Sequence, residues 1–474
     1  MKKIFSILLT IAPAFAQDRY LDTVKRFADT MIEHGTDHYG AERSPLFAAM
    51  LDIQKLSLPV EQVPEEFYKS RNRQVQSTGF GLPSAPYGIR PGDRAPFGNN
   101  AEHDYSLLRA LSVLSQVTGD KRYADHADAY LDFWLKHCQN PETGFMAAGE
   151  HNSWDFVRER PHANVHEVYR PSPFWDKLYR IDPYRALRIA EGIWMSQIAD
   201  KKVGDYNRHA EFRTHHPSVG AAAGAAFPRH AGFYIWAFAN AYVQSRDPKF
   251  IERIDLLIES RTGIRVQPWS LLVQPGSFQP AESFDPALRI LLWQSAELVP
   301  PRREAWQRVV QNLDARARQH PVDIGKVPLW DLAYGQSNAS SLALEQLIQY
   351  RQKADPEFLR AAAAIADSYL ASGWPADTSR LWPRAAGQLI SLLVSLSEET
   401  AIDPGKRKNY LEFSTAAAGK AIDLFCRNGL IRADGAANHY EAITGADDLV
   451  YALLQLHCRL HRPDIRMAPI DVNL

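Results

Sequence analysis

Phe233-Tyr234-Ile235-Trp236-Ala237-Phe238, a nearly all-apolar helical stretch, runs on to Arg246-Asp247-Pro248-Lys249-Phe250. The second phrase reads as the end of one helix and the start of another. Its aspartate accepts the free backbone N–H groups of a new first turn, where proline, which has no N–H to lose, is tolerated. The same signal returns in Thr118-Gly119-Asp120-Lys121-Arg122-Tyr123, Arg180-Ile181-Asp182-Pro183-Tyr184, Lys353-Ala354-Asp355-Pro356-Glu357-Phe358 and Ile402-Asp403-Pro404. A more apolar helix precedes each phrase, as in Leu107-Leu108-Ala110-Leu111-Leu114, and a more amphipathic, charged one follows. That alternation describes an inner helix, a tight turn and an outer helix.

Inner helices are expected to start near His103, Ser172, Arg229, Pro286, Asn338, Arg384 and Thr444, and outer partners near Lys121, Tyr184, Pro248, Arg302, Pro356 and Gly405. The segment Asp18 to Glu33 supplies the last outer helix by wrap-around. The fold class is therefore all-α, an α/α toroid of six to seven helical hairpins, with the count favouring seven. Every inner helix of such a barrel begins at the same end. The segments Asn99-Asn100-Ala101-Glu102-His103-Asp104, His166-Glu167, Arg229-His230, Tyr334-Gly335-Gln336-Ser337-Asn338 and Asn438-His439-Tyr440-Glu441 thus converge on one mouth, beside the long connections Cys138 to Pro171 and Ala199 to Pro228. Long loops in compact domains are often functional.

With 474 residues, 45% of them hydrophobic, the chain can bury a large core, and no linker interrupts the pattern after residue 100. One catalytic domain is read over residues 17–474. Residues 1–16 read as a bacterial secretory signal, with a basic Met1-Lys2-Lys3 start, the apolar run from Ile4 to Ala12, and cleavage near Ala16. The expected location is periplasmic or secreted. That run is too short to span a bilayer, which takes about 20 apolar residues, and no later segment qualifies. A net charge of -1 gives no general field for nucleic acid. Cys138, Cys426 and Cys458 form neither a disulfide framework nor a thiolate metal motif and are expected to be buried free thiols.

Histidine, glutamate and arginine concentrate between Gly149 and His230, in Gly149-Glu150-His151, His166-Glu167-Val168-Tyr169-Arg170, Asn207-Arg208-His209 and Pro228-Arg229-His230, where short helices are expected. Neutral imidazoles with one carboxylate make a site for a borderline divalent cation, and open coordination positions admit a substrate oxygen. His151, Glu167 and His209 are the expected ligands. Their spacing is no compact motif, so hydrogen-bonded pocket histidines are the plain alternative.

Gly-Glu-His at 149 to 151, His-Glu followed by Pro-Phe-Trp-Asp-Lys-Leu-Tyr-Arg-Ile-Asp-Pro at 173 to 183, and Tyr-Asn-Arg-His at 206 to 209 resemble the central signature of the family 2 polysaccharide lyases, pectate lyases with a seven-hairpin α/α barrel. The resemblance is best over residues 100 to 260. It implies metal-assisted β-elimination of polygalacturonate, an acidic polysaccharide. Its metal ligands would fall on His151, Glu167 and His209, and its catalytic arginine on Arg208. The divalent cation it implies is Mn²⁺ first, with Ca²⁺ or another transition metal as alternatives. The step from His151 to Glu167 is shorter than the family's, and the secretory start differs from members that act inside the cell.

Removing the proton α to a uronate carboxylate adds charge to an anion. A cation on that carboxylate, with arginines around it, stabilises the developing enolate. Arginine, with an ordinary pKa of about 12.5 or more, serves as base only where a nearby cation and desolvation favour its neutral form. Tyr206 and Tyr234 are the rival bases. Arg229 and Arg170 suit bidentate carboxylate recognition, and His230, His103, Asp104, Trp154 and His439 complete the expected substrate-binding set.

Each has a bland counterpart. Arg208 can pair with Glu211 or Asp205, His230 can be a core histidine, and Trp154, Trp175 and Trp236 can be packing. His103-Asp104 and His439-Tyr440-Glu441 can cap helices, and Asn338-Ala339-Ser340 matches a glycosylation acceptor by chance. Two other functions fit the same toroid. One is a glycoside hydrolase on uronate oligosaccharides, using Asp104 with Asp155 or Glu150; the other is a non-catalytic periplasmic glycan-binding protein.

Overall fold

The computed structural model describes residues 18–60, 62–69, 79–149, 152–162, 165–167, 174–215, 227–264, 266, 285–321, 324–330, 333 and 337–470. The expected leader and its cleavage site lie outside them. After α1 (Arg19–His34), six hairpins follow in chain order: α2 (Tyr105–Thr118) with α3 (Arg122–His137), α4 (Trp175–Ile181) with α5 (Pro183–Gly192), and α6 (Pro228–Ser245) with α7 (Lys249–Thr262). Then come α8 (Pro286–Leu298) with α9 (Arg303–Ala317), α10 (Ala339–Lys353) with α11 (Pro356–Ser372), and α12 (Pro383–Glu398) with α13 (Pro404–Phe425). The last helix, α14 (Ala446–His461), packs on α1, so the wrap-around pairing makes the seventh hairpin. No helix among the described residues is long and apolar enough to cross a membrane.

The aspartates at the restarts act as the sequence predicts. Asp120 accepts the N–H of Arg122, Asp182 that of Arg185, Asp247 that of Lys249, Asp355 that of Glu357, and Asp403 those of Gly405 and Lys406. Three of the preceding inner helices end on a left-handed residue, Gly119, Arg246 or Ala354. A left-handed residue turns the chain back at once, so no space is left for insertions at this end. Inner and outer helices differ in burial: α12 buries fourteen of its sixteen residues and α13 only seven of 22. Gly387 brings α12 against α14, since a Cβ there would stand 2.7 Å from backbone atoms of Asp448 and Leu449.

Inner helices contact one another in the order α6, α8, α10, α12, α14, α2. The short α4 and its partner α5 fill the remaining sector through α3 and α6, with Tyr105 edge-on to Phe174 at 5.8 Å. Cys138, Cys426 and Cys458 are free thiols, and none is exposed. Asp182→Ala removes one N-cap and is expected to cost about 1 kcal/mol, read as a lower denaturation midpoint with unchanged m-value.

Candidate active site

Because the tight turns occupy one end, all long connections lie at the other. Two more contribute besides the two long connections singled out from sequence: the run from Gly35 to Asp104 and the connection between α13 and α14 that carries His439–Glu441. These segments pair as short antiparallel strands where short helices were expected. Ser153–Asp155 lies between Gly98–Asn99 and Arg160–His162, and Met50–Asp52 pairs with His439–Glu441. Val165–Glu167 pairs with His209–Glu211. Strands of two or three residues carry too little alternation to be read as a period, which is why the helical expectation fails here. Gly98 is required by this sheet, for a Cβ would meet the Trp154 carbonyl oxygen at 1.9 Å.

The last ribbon matters most. Its register sets position 209 directly opposite position 167, two of the three expected ligands. Directly opposed positions share one face of an antiparallel pair. His151, Glu150 and Arg170 lie outside the described residues. The segment entering His151 is anchored, however: the Asn100 amide donates to the Gly149 carbonyl at 3.0 Å and accepts the Gly149 N–H at 3.2 Å. One carboxylate with imidazoles is a donor set that fits a borderline divalent ion.

Arg208, next to this rung, is half-buried. Its main chain is held by Gln197, the last residue of a π-helical turn over Ile193–Gln197, whose amide donates to the Arg208 carbonyl at 2.9 Å. Its guanidinium lies 4.8 Å from the centre of the Phe227 ring, and that of Arg229 lies 4.9 Å from the same ring. One phenyl group therefore gathers both arginines. Burial and then the positive charge of Arg90 push the Arg208 guanidinium below its ordinary range. Arg208 lies in the bend between the strands Asp205–Tyr206 and His209–Glu211 rather than at a helix edge, and Asp205 pairs with Arg261 at 3.7 Å.

Both tyrosines are placed differently. The Tyr206 hydroxyl donates to the Phe227 carbonyl at 2.5 Å, so it fixes the start of α6. Arg261 covers its ring at 4.0 Å. Tyr234 meets Tyr206 edge-on, is fully buried, and has its hydroxyl pushed well up by burial and then by Tyr206. A raised phenol is a poor base near neutral pH.

Behind the mouth lie the other expected residues, all buried. Asp104 accepts from Tyr130 at 2.6 Å and Asn99 at 2.8 Å, and burial pushes its carboxyl up to about 7 against those hydrogen bonds. His103 contacts the Asn100 amide at 3.3 Å. Trp154 is 7% exposed and packs edge-on to Phe133, a packing residue rather than a sugar platform. His230 lies between Phe227 and Phe233 beneath the mouth. His439 contacts Glu441 at 3.0 Å, and Arg94 grips the same carboxylate with bonds of 2.7 and 2.8 Å. Burial alone would raise Glu441; Arg94, with His439, holds it below its usual range.

Sequence reasoning missed Asp447 and Asp448 at the start of α14. Ser106 donates to both, and Arg384 binds Asp448 at 3.1 Å. Burial raises both carboxyls, Asp447 further through its neighbour Asp448. Within the barrel, burial and then Asp285 push Glu345 up to about 8. An adjacent acidic pair opening an apolar helix was the available signal for the first two.

The matched segment now has a place in this geometry. Residues 83–228 match the family of periplasmic pectate lyases. The match spans Asp104, the Gly149 anchor, both strands of the 167/209 rung and Arg208, and it supports a carbohydrate-processing enzyme of the periplasm. Among solved structures, the chain is similar to an α-1,6-mannanase from a Salegentibacter species, at 12% identity over 92% of this chain and 99% of that one, TM-score 0.42. It is also similar to a cellobiose 2-epimerase from Bacillus thermoamylovorans, at 11% identity over 92% and 99%, TM-score 0.43. An unsaturated glucuronyl hydrolase specific for heparin matches at 12% identity over 95% and 100%, TM-score 0.41.

The buried Arg94–Glu441 pair ties the 35–104 connection to the segment before α14. Arg94→Met would leave a buried carboxylate uncompensated and should cost about 3–5 kcal/mol. Because Glu441 is depressed in the folded state, its contribution is present above the unfolded pKa of about 4.3 and is lost as pH falls through the folded value. Chemical denaturation of wild type and variant at neutral and acid pH checks both statements.

Proposed function

We propose that the chain is a periplasmic or secreted polysaccharide lyase that cleaves an acidic, uronate-containing polysaccharide, polygalacturonate first, by metal-assisted β-elimination. The observation that supports this best is the position of Arg208: a guanidinium lowered by burial and by Arg90, adjoining the rung that opposes His209 and Glu167. Desolvation and a neighbouring cation are the two conditions under which an arginine becomes a base.

His151, Glu167 and His209 would hold the divalent ion, Mn²⁺ in preference. When bound, it neutralises the uronate carboxylate and so acidifies the adjacent carbon. Arg208 takes the proton from that carbon, and the glycosidic oxygen at the β position leaves as the double bond forms. Arg229, gathered onto the same phenyl ring, binds a uronate carboxylate with its planar fork, assisted by Arg170. Tyr206 positions rather than reacts, since its hydroxyl is committed to Phe227.

The hydrolase reading draws on Asp104, whose raised carboxyl suits a general acid. Its suggested partner Asp155 is occupied, accepting from the Tyr68 hydroxyl and the N–H groups of Val157 and Arg158.

Incubation with polygalacturonate should give ultraviolet-absorbing unsaturated product, abolished by chelator and restored by Mn²⁺; reducing ends without that absorbance would establish hydrolysis instead. Arg208→Ala should lower kcat by about 10²–10⁴-fold. Only the deprotonated base reacts, so kcat/KM should climb as pH rises toward the lowered Arg208 pKa. A wild-type profile flat across that range would remove Arg208 from the role.

A further inference from the structure

We infer that Asp18, His457 and His461 form a transition-metal site that closes the barrel, at the end of α14 away from the mouth. His457 and His461 stand one turn apart on the last helix, where side chains four residues apart share a face. Their rings are 5.4 Å apart. Asp18 comes from the other end of the chain. One of its carboxylate oxygens caps α1, accepting the N–H groups of Tyr20 and Leu21 at 3.0 and 3.3 Å. The other oxygen faces the histidines: it is hydrogen-bonded with His457 Nδ1 and lies 3.5 Å from His461 Nε2.

One donor atom from each residue thus falls within 4.8 Å of the other two. A zinc ion with ligand bonds of about 2.0–2.2 Å needs the set to contract slightly. The exposed His461 side chain, 55% accessible, can supply that movement and gives the ion an entry path. Buried His457 is already placed. Among the described residues its Nε2 has no hydrogen-bond partner, so no second contact there fixes the tautomer that leaves a proton on Nδ1. Two imidazoles and a carboxylate suit Zn²⁺, Co²⁺ or Ni²⁺ rather than Mg²⁺ or Ca²⁺.

The site is separate from the chemistry of the mouth. Asp447 lies in the first turn of α14 and His457 ten residues further along it, a helical rise of about 15 Å. What the ion joins is the first helix and the last, the one pairing of the ring with no connecting turn. A ligand that binds only this joined state stabilises the barrel.

Zn²⁺ titration by calorimetry of the metal-stripped mature protein tests this, performed in a His209→Ala background so that the result does not depend on the lyase reading. One Zn²⁺ should bind per chain and raise Tm. Adding His461→Ala, or Asp18→Asn, which keeps a good cap, should weaken that binding by at least about tenfold and abolish the Zn²⁺-dependent rise in Tm. In the wild-type background, His461→Ala should leave product formation from polygalacturonate unchanged. Identical isotherms with and without His461 would overturn the proposal and leave the three residues as an ion-paired cluster only.

Discussion

The turn at the closed end is the constraint on which the rest of the molecule depends. A left-handed residue followed by a capping aspartate reverses the chain within two or three residues, as at Ala354-Asp355 and Arg246-Asp247. Three such reversals and three other short inner-to-outer turns send the surplus chain to the opposite end. The mouth follows from this economy. It also explains why residues far apart in sequence, such as Asn100 and Gly149 or Arg94 and Glu441, hold one another there.

The mouth has two electrostatic sides. Behind it, Asp104, Asp447 and Asp448 are buried at the starts of inner helices, where helix N-termini and Arg384 offset part of the cost of burying carboxylates. Toward residues 206–230 the charge is reversed. Arg208 and Arg229 share Phe227, Arg90 adds its field, and Arg261 covers Tyr206. Guanidinium groups thus stand toward one side of the mouth and buried carboxylates behind the other. Buried charges of this kind weaken a fold unless they are paired, and the Arg94–Glu441–His439 group shows the pairing carried through.

The helices were legible because their signals are local. The Asp-Pro restarts fix where outer helices begin, and the apolar stretches before them identify the inner ring. The strands were not, since ladders of two or three residues depend on partners up to hundreds of positions away, as in Met50–Asp52 with His439–Glu441. Trp154 looked like a sugar platform by residue type and is enclosed instead. Asp447 and Asp448 were hidden within a helix start that the sequence identified only as apolar.

By itself the sequence determined an all-α ring of hairpins, the end at which its polar segments gather, and the histidines, carboxylates and arginines available there. These follow from caps and periodicity, which act over a few residues. Tertiary structure alone decided that position 209 opposes 167, that Arg208 is desolvated beside Arg90 while Tyr206 is committed to a carbonyl, and that Asp18 meets His457 and His461. Each of those depends on distance and dielectric between residues remote in the chain, and neither quantity exists until the ring has closed.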